Sequence, residues 1–338
     1  MTSFGVSLGI SQREPTRRIL DLAKEAENAG LDAIWVLDSQ LILRDVYVCM
    51  TAAAIATQRI KLGTGVTTPH MRHITVTANA IASVDELTDG RAMLGVGSGD
   101  SAIAPLGIKA SKVEELRTWV QQVRTLLKGD PVEFEGNSVR LRTSRPSVPI
   151  FISASQPRML QLAGEVADGV IMMGFASPDL VEYQLGFLRQ GMRNAGRSEG
   201  DVFVDYWATI SIREDETAAL EDVKSWSAGQ ARWLNTWKEV PPALDRYRDE
   251  AARAAREYDF SEHLSVRGAH TNLVSDDFAR LAAIAGGLEQ CLARVSELAS
   301  LGLNRITLTL LSGERQERLE AIAELIKAVN SRTAGVST

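Results

Sequence analysis

The sequence predicts a (β/α)8 barrel, and two observations lead to this fold class. Eight short apolar runs rich in β-forming residues recur along the 338 residues, and amphipathic stretches separate most of them. The runs are continuously apolar, which is typical of parallel strands that are covered on both sides. A doubly wound open sheet is the competing fold. It would normally carry a glycine-rich phosphate loop after its first strand, which Gly9-Ile10-Ser11-Gln12 does not provide.

The first half of the chain has the clearest repeat. Apolar runs begin at Phe4, Asp32, Ile60 and Arg91, so that their starts lie 28, 28 and 31 residues apart. Between them, apolar residues recur at three- and four-residue spacing, which predicts helices over residues 17–29, 46–57 and 74–88. Gly30 and the pair Asp89-Gly90 follow two of these helices, where a left-handed terminal residue is expected. Each interval is therefore a β–α unit.

The second half supplies four more strands and two insertions. The strands are predicted at Pro149–Ser153, Gly169–Met173, Val202–Ile212 and Arg305–Leu310. The stretch Gly129–Arg142 alternates around Glu135-Gly136-Asn137 and predicts a hairpin. A longer, charged and helical insertion lies between strands seven and eight, from about residue 213 to 287. No linker separates it from the rest, so residues 1–338 are expected to form one domain.

Composition narrows the function classes. The chain is 45% hydrophobic and 24% charged and carries a formal net charge of −6, which disfavours nucleic acid or an anionic membrane as a partner. It shows neither a signal peptide nor a membrane-spanning run, so a cytoplasmic protein is expected. Cys49 and Cys291 lie far apart, which predicts buried packing residues rather than a disulfide or a metal site.

Three segments at predicted strand ends are candidates for ligand binding, because barrel active sites lie at the C-terminal ends of the strands. Gly63–His73, reading GTGVTTPHMRH, has glycines where the backbone could approach a flat ring closely. Gly95–Asp100, reading GVGSGD, could wrap a phosphate with backbone N–H groups. Ser153–Pro157 begins a helix whose N-terminus suits an anion. Simple turns and helix capping are the alternatives for these segments.

These segments together carry a family resemblance. Residues 52–100, reading AAAIATQRIKLGTGVTTPHMRHITVTANAIASVDELTDGRAMLGVGSGD, resemble the luciferase-like monooxygenase superfamily, and more narrowly its deazaflavin-dependent branch, which includes methylenetetrahydromethanopterin reductase. The resemblance continues through VPIFISASQPRMLQLAGEVADGVIMMG and Gly286–Leu308. It implies an oxidoreductase that transfers a hydride between coenzyme F420, an 8-hydroxy-5-deazaflavin, and a small organic substrate. Homodimers are common in this superfamily.

The resemblance also implies where the cofactor binds. A non-prolyl cis peptide supports the ring in the family, and it maps onto Gly65-Val66. The phosphate site maps onto Gly97–Gly99 and the backbone of Ala154–Gln156, with Met159 over the cofactor tail. The full set of predicted cofactor-binding residues is Asp38, Thr64, Gly65, Val66, Gly97, Ser98, Gly99, Ser153, Ala154, Ser155, Gln156, Met159 and Gly174.

Four residues are candidates for proton transfer or substrate orientation. Asp38 ends strand two and Asp100 follows strand four, with helix capping or a turn as the alternative role for each. His263 and His270 lie in the helical insertion, where structural histidines are also common. Two departures from the family bear on the substrate. Many relatives have histidine where this chain has Ser39, which weakens the case for alcohols and sugar phosphates. Ser7 replaces a carboxylate of the methanopterin reductases, which weakens the case for a pterin.

Two other functions stay open at this stage. An FMN-dependent monooxygenase would take reduced flavin from a separate reductase and activate dioxygen on the same barrel. A non-catalytic flavin-binding barrel is a minor alternative. Trp226, Trp233 and Trp237, spaced by 7 and 4 residues, are expected on one helix face, where packing or a dimer contact is favoured over an aromatic substrate box.

Overall fold

A computed structural model describes residues 2–263 and 265–336, with the backbone alone for residues 333–336. Within these residues no helix is both long enough and apolar enough to cross a bilayer, and no group of three or more His, Cys, Asp or Glu side chains could hold a metal ion. Both cysteines are free and buried, as predicted. Burial raises the pKa of Cys49 to about 11 and that of Cys291 to about 12.

The first half of the chain alternates strands and helices as the repeat predicts. Gly30 (φ 80°), Asp89 (φ 53°) and Gly90 (φ 87°) adopt left-handed conformations after the first and third helices, which confirms their predicted role. The elements are β1 (Ser3–Leu8), α1 (Arg18–Asn28), β2 (Ala33–Val36), α2 (Val46–Ala56), β3 (Lys61–Thr64), α3 (Ile74–Leu87), β4 (Ala92–Val96) and α4 (Val113–Lys128).

The second half begins with the predicted hairpin, in which β5 and β6 pair antiparallel. Short 3-10 helices also occur, among them Pro242–Tyr247 and Ala269–Leu273. The remaining elements are β5 (Val132–Phe134), β6 (Asn137–Val139), β7 (Ile150–Ala154), α5 (Pro157–Val166), β8 (Gly169–Met173), α6 (Pro178–Asn194), β9 (Phe203–Ile212), α7 (Glu216–Leu234), α8 (Arg248–Glu257), α9 (Asp276–Ala282), β10 (Ile284–Gly286), α10 (Leu288–Ala299), β11 (Arg305–Thr309) and α11 (Arg315–Val336).

The strand order confirms the predicted fold class. The main sheet runs β10-β9-β11-β1-β2-β3-β4-β7-β8, and β8 also pairs with β9. The registers from β1 through β4 to β7 and β8 are parallel. The eight predicted strands therefore form the closed parallel series of a (β/α)8 barrel.

The segment between β9 and α10 differs from expectation in two details. The short strand β10 pairs in parallel with the end of β9 and was not predicted. Helix α7 ends at Leu234, so Trp237 does not share a helix face with Trp226 and Trp233, and that prediction was wrong. The helix tightens into turns in which Thr236 N–H bonds to Trp233 and Trp237 N–H bonds to Leu234. Trp237 is then buried beside Phe175.

The chain divides into two compact units, residues 5–172 with 184–205, and residues 1–4 with 173–183 and 206–338. The core of the first is centred on Trp35, which is fully buried, donates to Asp205 at 2.8 Å and meets the ring of Phe151 edge-on. The core of the second is built around Phe278, whose ring contacts those of Phe175 and Tyr247. The single-domain organisation stays a prediction.

Candidate cofactor and substrate site

The chain leaves β3 through a distinctive backbone turn. The peptide bond Gly65-Val66 is cis, as the family resemblance implies. The turn remains paired with the neighbouring strand, because Thr67 N–H donates to Gly95 O at 3.0 Å and Gly97 N–H donates to Thr67 O at 2.9 Å. The ends of β3 and β4 are thus fixed to each other by backbone hydrogen bonds.

Three predicted cofactor residues converge at Gly97. A Cβ atom added there would lie 3.0 Å from Val66 Cγ2 and 3.6 Å from Ser153 Cβ, so the ends of β3, β4 and β7 meet around a position that lacks a side chain. Gly99 follows with φ 104°, and a Cβ atom there would lie 3.1 Å from Thr68 Oγ1. Any larger residue at Gly97 would place its side chain against Val66 and Ser153.

Two hydroxyl groups in the turn after β3 are buried without a partner. Within the described residues, neither Thr67 Oγ1 nor Thr68 Oγ1 makes a hydrogen bond, although both side chains are almost completely buried. Buried polar groups are normally hydrogen-bonded, so such groups call for an explanation. Both residues directly follow the Gly65-Val66 peptide in the sequence.

The predicted glycine pattern has a second cause that the sequence did not show. A Cβ atom at Gly63 would lie 2.3 Å from the Trp35 ring, and one at Gly95 would lie 2.2 Å from Thr64 O. These two glycines therefore make room for core packing. Thr64 itself is fully buried, and its hydroxyl donates to Gly95 O and accepts from Gly95 N–H, so its side chain is committed to β4.

Asp38 is held by an arginine that the sequence did not single out. Arg72 donates to both oxygens of Asp38, at 2.6 and 3.2 Å, and also to Asp45 at 2.9 Å. The Asp38 side chain is 5% exposed and that of Arg72 is 16% exposed. The cap of α2 is Asp45, which accepts from the backbone N–H groups of Tyr47 and Val48. The alternative role of Asp38 as the cap of α2 is thereby wrong.

The electrostatics of this cluster follow from its ion pairs. Burial opposes a charge on Arg72, but hydrogen bonds to Asp38 and Asp45 outweigh it and raise its pKa above the ordinary value. Burial opposes a charge on Asp45 as well, yet bonds from Arg72 and the helix backbone lower its pKa. The Arg72 guanidinium also lies 5.3 Å from the ring centre of Tyr47. Burial and the charge of Asp38 raise the pKa of Tyr47.

The loops after β2, β3 and β4 are tied together by side chains. Ser39 and Ser101 share a hydrogen bond of 2.5 Å between their hydroxyls. Gln40 Nε2 donates to Ala102 O at 2.6 Å. Ser111 Oγ lies 2.9 Å from His70 Nε2. Ser39 thus reaches from the end of β2 to the loop beyond β4. Asp100 begins this loop, half-buried, and its carbonyl accepts from two backbone N–H groups three and four residues later.

Helix α5 begins where the sequence predicts an anion site. Pro157 occupies the first turn, and Gln156 is the N-cap residue without a side-chain capping bond. The carbonyl of Ser155 accepts from Gln184 Nε2 at 3.0 Å, which orients the turn. Ser155, Gln156 and Met159 are all half-buried. This ten-residue helix thus begins three residues after the last residue of β7.

The other predicted residues lie in the unit that contains the insertion. Gly174 is buried, and its carbonyl accepts from Gln230 Nε2 at 2.6 Å. His270 is 2% exposed and bonds to Ser225 Oγ at 2.9 Å, and burial lowers its pKa. His263 is half-buried and bonds to Tyr258 Oη. The structure brings together Val66, Gly97 and Ser153, and Asp38 belongs to the same unit. The roles of the two histidines stay predictions.

Comparisons with known proteins identify the family. The family model of luciferase-like monooxygenases matches residues 1–305. The 5,10-methylenetetrahydromethanopterin reductase of Methanolobus tindarius is 31% identical over 90% of this chain and 93% of its own length. The F420-dependent glucose-6-phosphate dehydrogenase of Kineococcus radiotolerans is 33% identical over 62% of this chain and 68% of its own.

A solved structure extends the likeness to the fold. The coenzyme F420-dependent tetrahydromethanopterin reductase of Methanopyrus kandleri superposes with a TM-score of 0.80 at 26% identity, covering 96% of this chain and 97% of the other. Sequence, fold and the cis peptide after β3 thus agree. The chain belongs to the luciferase-like monooxygenase family.

Proposed function

We propose that this protein is an oxidoreductase that transfers a hydride between coenzyme F420 and a small organic substrate. The observation that carries the proposal is the convergence of Val66, Gly97 and Ser153 around a space without a side chain, next to the buried, unpartnered hydroxyls of Thr67 and Thr68. A flat ring can lie against the backbone where a side chain is lacking. The named relatives with 31% and 33% identity include F420-dependent enzymes, which favours the deazaflavin over FMN.

The residues present fit the cofactor in two parts. Gly65, Val66 and Gly97 would face the ring, because two of these three residues have no side chain to hold it away from the backbone. Ser98, Gly99 and the start of α5 would hold a phosphate with backbone N–H groups and the positive end of the helix dipole. Met159 would cover the tail, with Ser153–Gln156 and Gly174 completing the predicted contacts. When bound, the cofactor supplies the hydride chemistry, while the protein supplies orientation and shielding.

Asp38 acts in this proposal as a fixed hydrogen-bond acceptor. Arg72 engages both of its oxygens and stabilises the carboxylate, so each oxygen is aimed rather than free to rotate. An N–H or O–H group of the cofactor or substrate can still donate to the remaining lone pairs. Asp100, His263 and His270 remain the candidate proton carriers, and Ser39 with Ser101 offers a neutral hydroxyl donor.

The substrate is proposed only by class. The two relatives act on different molecules, a methanopterin derivative and glucose-6-phosphate according to their names. This chain has Ser7 where the methanopterin reductases have a carboxylate, and Ser39 where many relatives have a histidine. Neither residue that would favour one of these substrates is therefore present. A small organic molecule recognised through hydroxyl donors is therefore proposed.

An FMN-dependent monooxygenase with a separate reductase partner is the second candidate. The observation in its favour is the family model itself, which is named for luciferase-like monooxygenases. A monooxygenase from Streptomyces bottropensis also superposes with a TM-score of 0.68, but at 19% identity this likeness concerns the fold alone. The choice between the two rests on the cofactor.

Titration of the purified protein with F420 and with FMN distinguishes the candidates. We expect quenching or shift of F420 fluorescence with a micromolar or lower dissociation constant and much weaker binding of FMN. Tight binding of FMN with no binding of F420 would refute the leading proposal. Binding of neither would refute both, and a non-catalytic barrel for another ligand would take their place.

We also infer that the enzyme is a cytoplasmic homodimer. Two free, buried cysteines are typical of a reducing compartment. Fractionation of the native host places the protein, and light scattering measures its mass in solution. A secreted protein, or a monomer at all concentrations, would contradict the respective inference.

A further inference from the structure

Three large apolar side chains are exposed in the loops that follow β2 and β4. Leu41 is 46% exposed, Leu106 is 47% exposed and Ile108 is 37% exposed. We call these three residues the apolar lip. They lie in loops at the C-terminal ends of strands, where a barrel binds its substrate. The other exposed large apolar side chains of the described residues belong to α2 and α3, namely Val48, Ile55, Val76 and Leu87.

The loop after β4 is closed at its neck. Ser111 N–H donates to Ser98 O at 2.8 Å, and Ser98 is one of the predicted cofactor-binding residues. Ser111 is itself buried, and its hydroxyl lies 2.9 Å from His70 Nε2. The residues from 99 to 110 therefore form a compact loop whose ends meet at the segment proposed for the phosphate. Compact loops with close ends are frequently functional.

The backbone of this loop has a fixed shape. Ile103 is 2% exposed, and its side chain fills the space next to Gly99, where a Cβ atom would otherwise lie. The N–H groups of Leu106 and Ile108 both donate to Ile103 O, at 3.0 and 3.3 Å. Gly107, between them, adopts φ 71°. The loop thus buries one isoleucine while an ordered turn keeps the two lip residues at the surface.

Leu41 lies in a turn that is joined to the same loop. The turn begins at Ser39, whose carbonyl accepts from the backbone N–H groups three and four residues later. Gln40, next to Leu41, donates to Ala102 O at 2.6 Å, and Ser39 shares a hydrogen bond with Ser101. The two loops that carry the lip are therefore connected beside a pair of hydroxyl groups.

The lip differs in charge from a neighbouring loop. Residues 101–108, reading SAIAPLGI, contain no charged side chain, whereas residues 11–17 after β1, reading SQREPTR, contain three. Transfer of apolar surface out of water is favourable, so a ligand with its own apolar surface gains free energy when it covers exposed aliphatic side chains. The chemistry of the lip thus favours a hydrocarbon over a polar or charged group.

We propose that the apolar lip binds the hydrocarbon part of a small organic substrate whose polar end reaches Ser39 and Ser101. The inference rests on the proposed function and specifies its substrate class, a molecule with a hydrogen-bond acceptor at one end and an alkyl chain at the other. The serine pair has two hydroxyl protons and the bond between them uses one, so the other can be donated to that acceptor.

A small molecule fits the lip better than a macromolecule does. Three partly exposed side chains offer far less than the about 800 Å² that each partner buries in a stable protein contact. An anionic membrane would be repelled by the net charge of −6. The lip is also continuous with the proposed site, because its loops are fixed at Ser98 and at the Ser39–Ser101 pair.

Calorimetric titration of the F420-loaded protein with butanamide, hexanamide and octanamide tests the proposal. These primary amides share one carbonyl acceptor and differ in chain length. They neither donate nor accept a hydride under these conditions, so that binding alone is measured. A fully buried methylene raises affinity about fourfold, so partial burial of the methylenes that distinguish octanamide from butanamide predicts about tenfold tighter binding of octanamide.

Two substitutions in the lip and one matched control locate the hydrocarbon. Leu106→Ser and Ile108→Ser, combined in a double variant, should abolish most of the preference for octanamide. Leu87→Ser should keep it. Leu87 is 50% exposed, close to the value of Leu106, but it is the last residue of α3 and lies near the start of β4, away from the strand ends that carry the lip. Circular dichroism and F420 titration of each variant report on folding and on the cofactor site.

Several outcomes would overturn the proposal. Equal affinity for the three amides in the wild type, or no measurable binding of any of them, is one. A preference for octanamide that survives in the double variant is another, because the hydrocarbon must then lie elsewhere. Self-association that both lip substitutions abolish would assign the lip to a protein contact instead. Failure of the wild type to bind F420 would refute the proposed function, and the same titrations without cofactor would still decide whether the lip binds a hydrocarbon.

Discussion

Replacement of Arg72 by methionine isolates the ion pairs at the end of β2. Methionine keeps much of the volume of the side chain but none of its five donors. The substitution leaves Asp38, whose side chain is 5% exposed, without its cation, whereas Asp45 is 49% exposed and can be hydrated. Removing one partner of a buried pair costs about 3 to 5 kcal/mol, and an exposed pair contributes about 1 kcal/mol or less. We expect Arg72→Met to lower the free energy of unfolding by about 3 kcal/mol.

A double-mutant cycle measures how much of this loss depends on the charge of Asp38. Asp38→Asn alone should cost about 1.5 kcal/mol, because Arg72 keeps Asp45 and an amide oxygen as acceptors. The double variant, Arg72→Met with Asp38→Asn, contains no buried unpaired charge. Its cost should be about 2 kcal/mol, well below the sum of the single variants.

Equilibrium urea unfolding, followed by circular dichroism, measures these differences. Arg117→Met is the matched control, since Arg117 also bonds to two carboxylates, those of Glu165 and Glu114, but in a more exposed setting. The control should lose about 1 kcal/mol. Additive single and double variants, or an Arg72→Met variant no less stable than the control, would refute the interpretation of Asp38 as a carboxylate held by Arg72.

Three further predictions concern the cofactor, the substrate step and pH. Gly97→Ala should weaken F420 binding about tenfold or more with little loss of stability, because the new methyl group would lie 3.0 Å from Val66. Gly186→Ala is the control, since nothing lies within contact distance of that position. Equal F420 affinity in both variants would contradict the proposed cofactor site. Asp38→Asn should lower turnover more than F420 affinity in steady-state assays, and wild-type turnover would limit Asp38 to structure. Burial lowers the pKa of His270, so the unfolded chain takes up the proton before the folded protein does as the pH falls below about 6.5. Thermal melting should therefore show that the free energy of unfolding decreases toward acid pH, by at most about 1.4 kcal/mol per pH unit. His270→Asn should flatten that loss, and an unchanged slope would show that another group is responsible.

The fold was predictable because its signals are local. Eight apolar runs and the glycines after the helices each report on the conformation of a few neighbouring residues, and β1 to β4 lie where those runs predict. The end of α7 was less accessible. Trp226, Trp233 and Trp237 fit helical spacing, but the turns after Leu234 depend on where Trp237 packs, beside Phe175, some sixty residues away in the sequence. Spacing alone carries no information about that contact.

The sequence predicted the backbone segments of the candidate site but not its ion pairs. Gly65, Gly97 and the start of α5 stand out because glycine and proline restrict the backbone, and the family resemblance supplied the cis peptide. Arg72 did not stand out, since an arginine in a loop has no local pattern that names its partner. The sequence nevertheless contains a pattern that predicts the ion pairs: Asp38 and Asp45 flank the loop after β2, and Arg72 lies in the loop after β3.

The glycines show how a correct pattern can have two causes. Gly63 was attributed to close approach of a flat ring and Gly95 to a phosphate loop, but the groups that lie closest to them are the Trp35 ring and the Thr64 carbonyl. Gly65 and Gly97, each two residues farther along, lie beyond the strands, where the core ends. Alternate residues along a strand face the same side. Gly63 and Gly95 therefore lie within the strands, against the core, and Gly65 and Gly97 follow on the same side just after the strands end.

The loops at this end of the first unit support one another. The loops after β2, β3 and β4 are joined by the pairs Asp38–Arg72, Ser39–Ser101 and His70–Ser111, so that a change in one loop disturbs the others. Such mutual support fixes geometry to the tolerance that a bound ring requires. The insertion between β9 and α10 has polar contacts of its own, such as His270–Ser225 and Tyr258–His263, and these two contacts involve none of those loops. Because those two contacts lie outside the three loops, substitutions that break them should leave the pairs Asp38–Arg72, Ser39–Ser101 and His70–Ser111 in place.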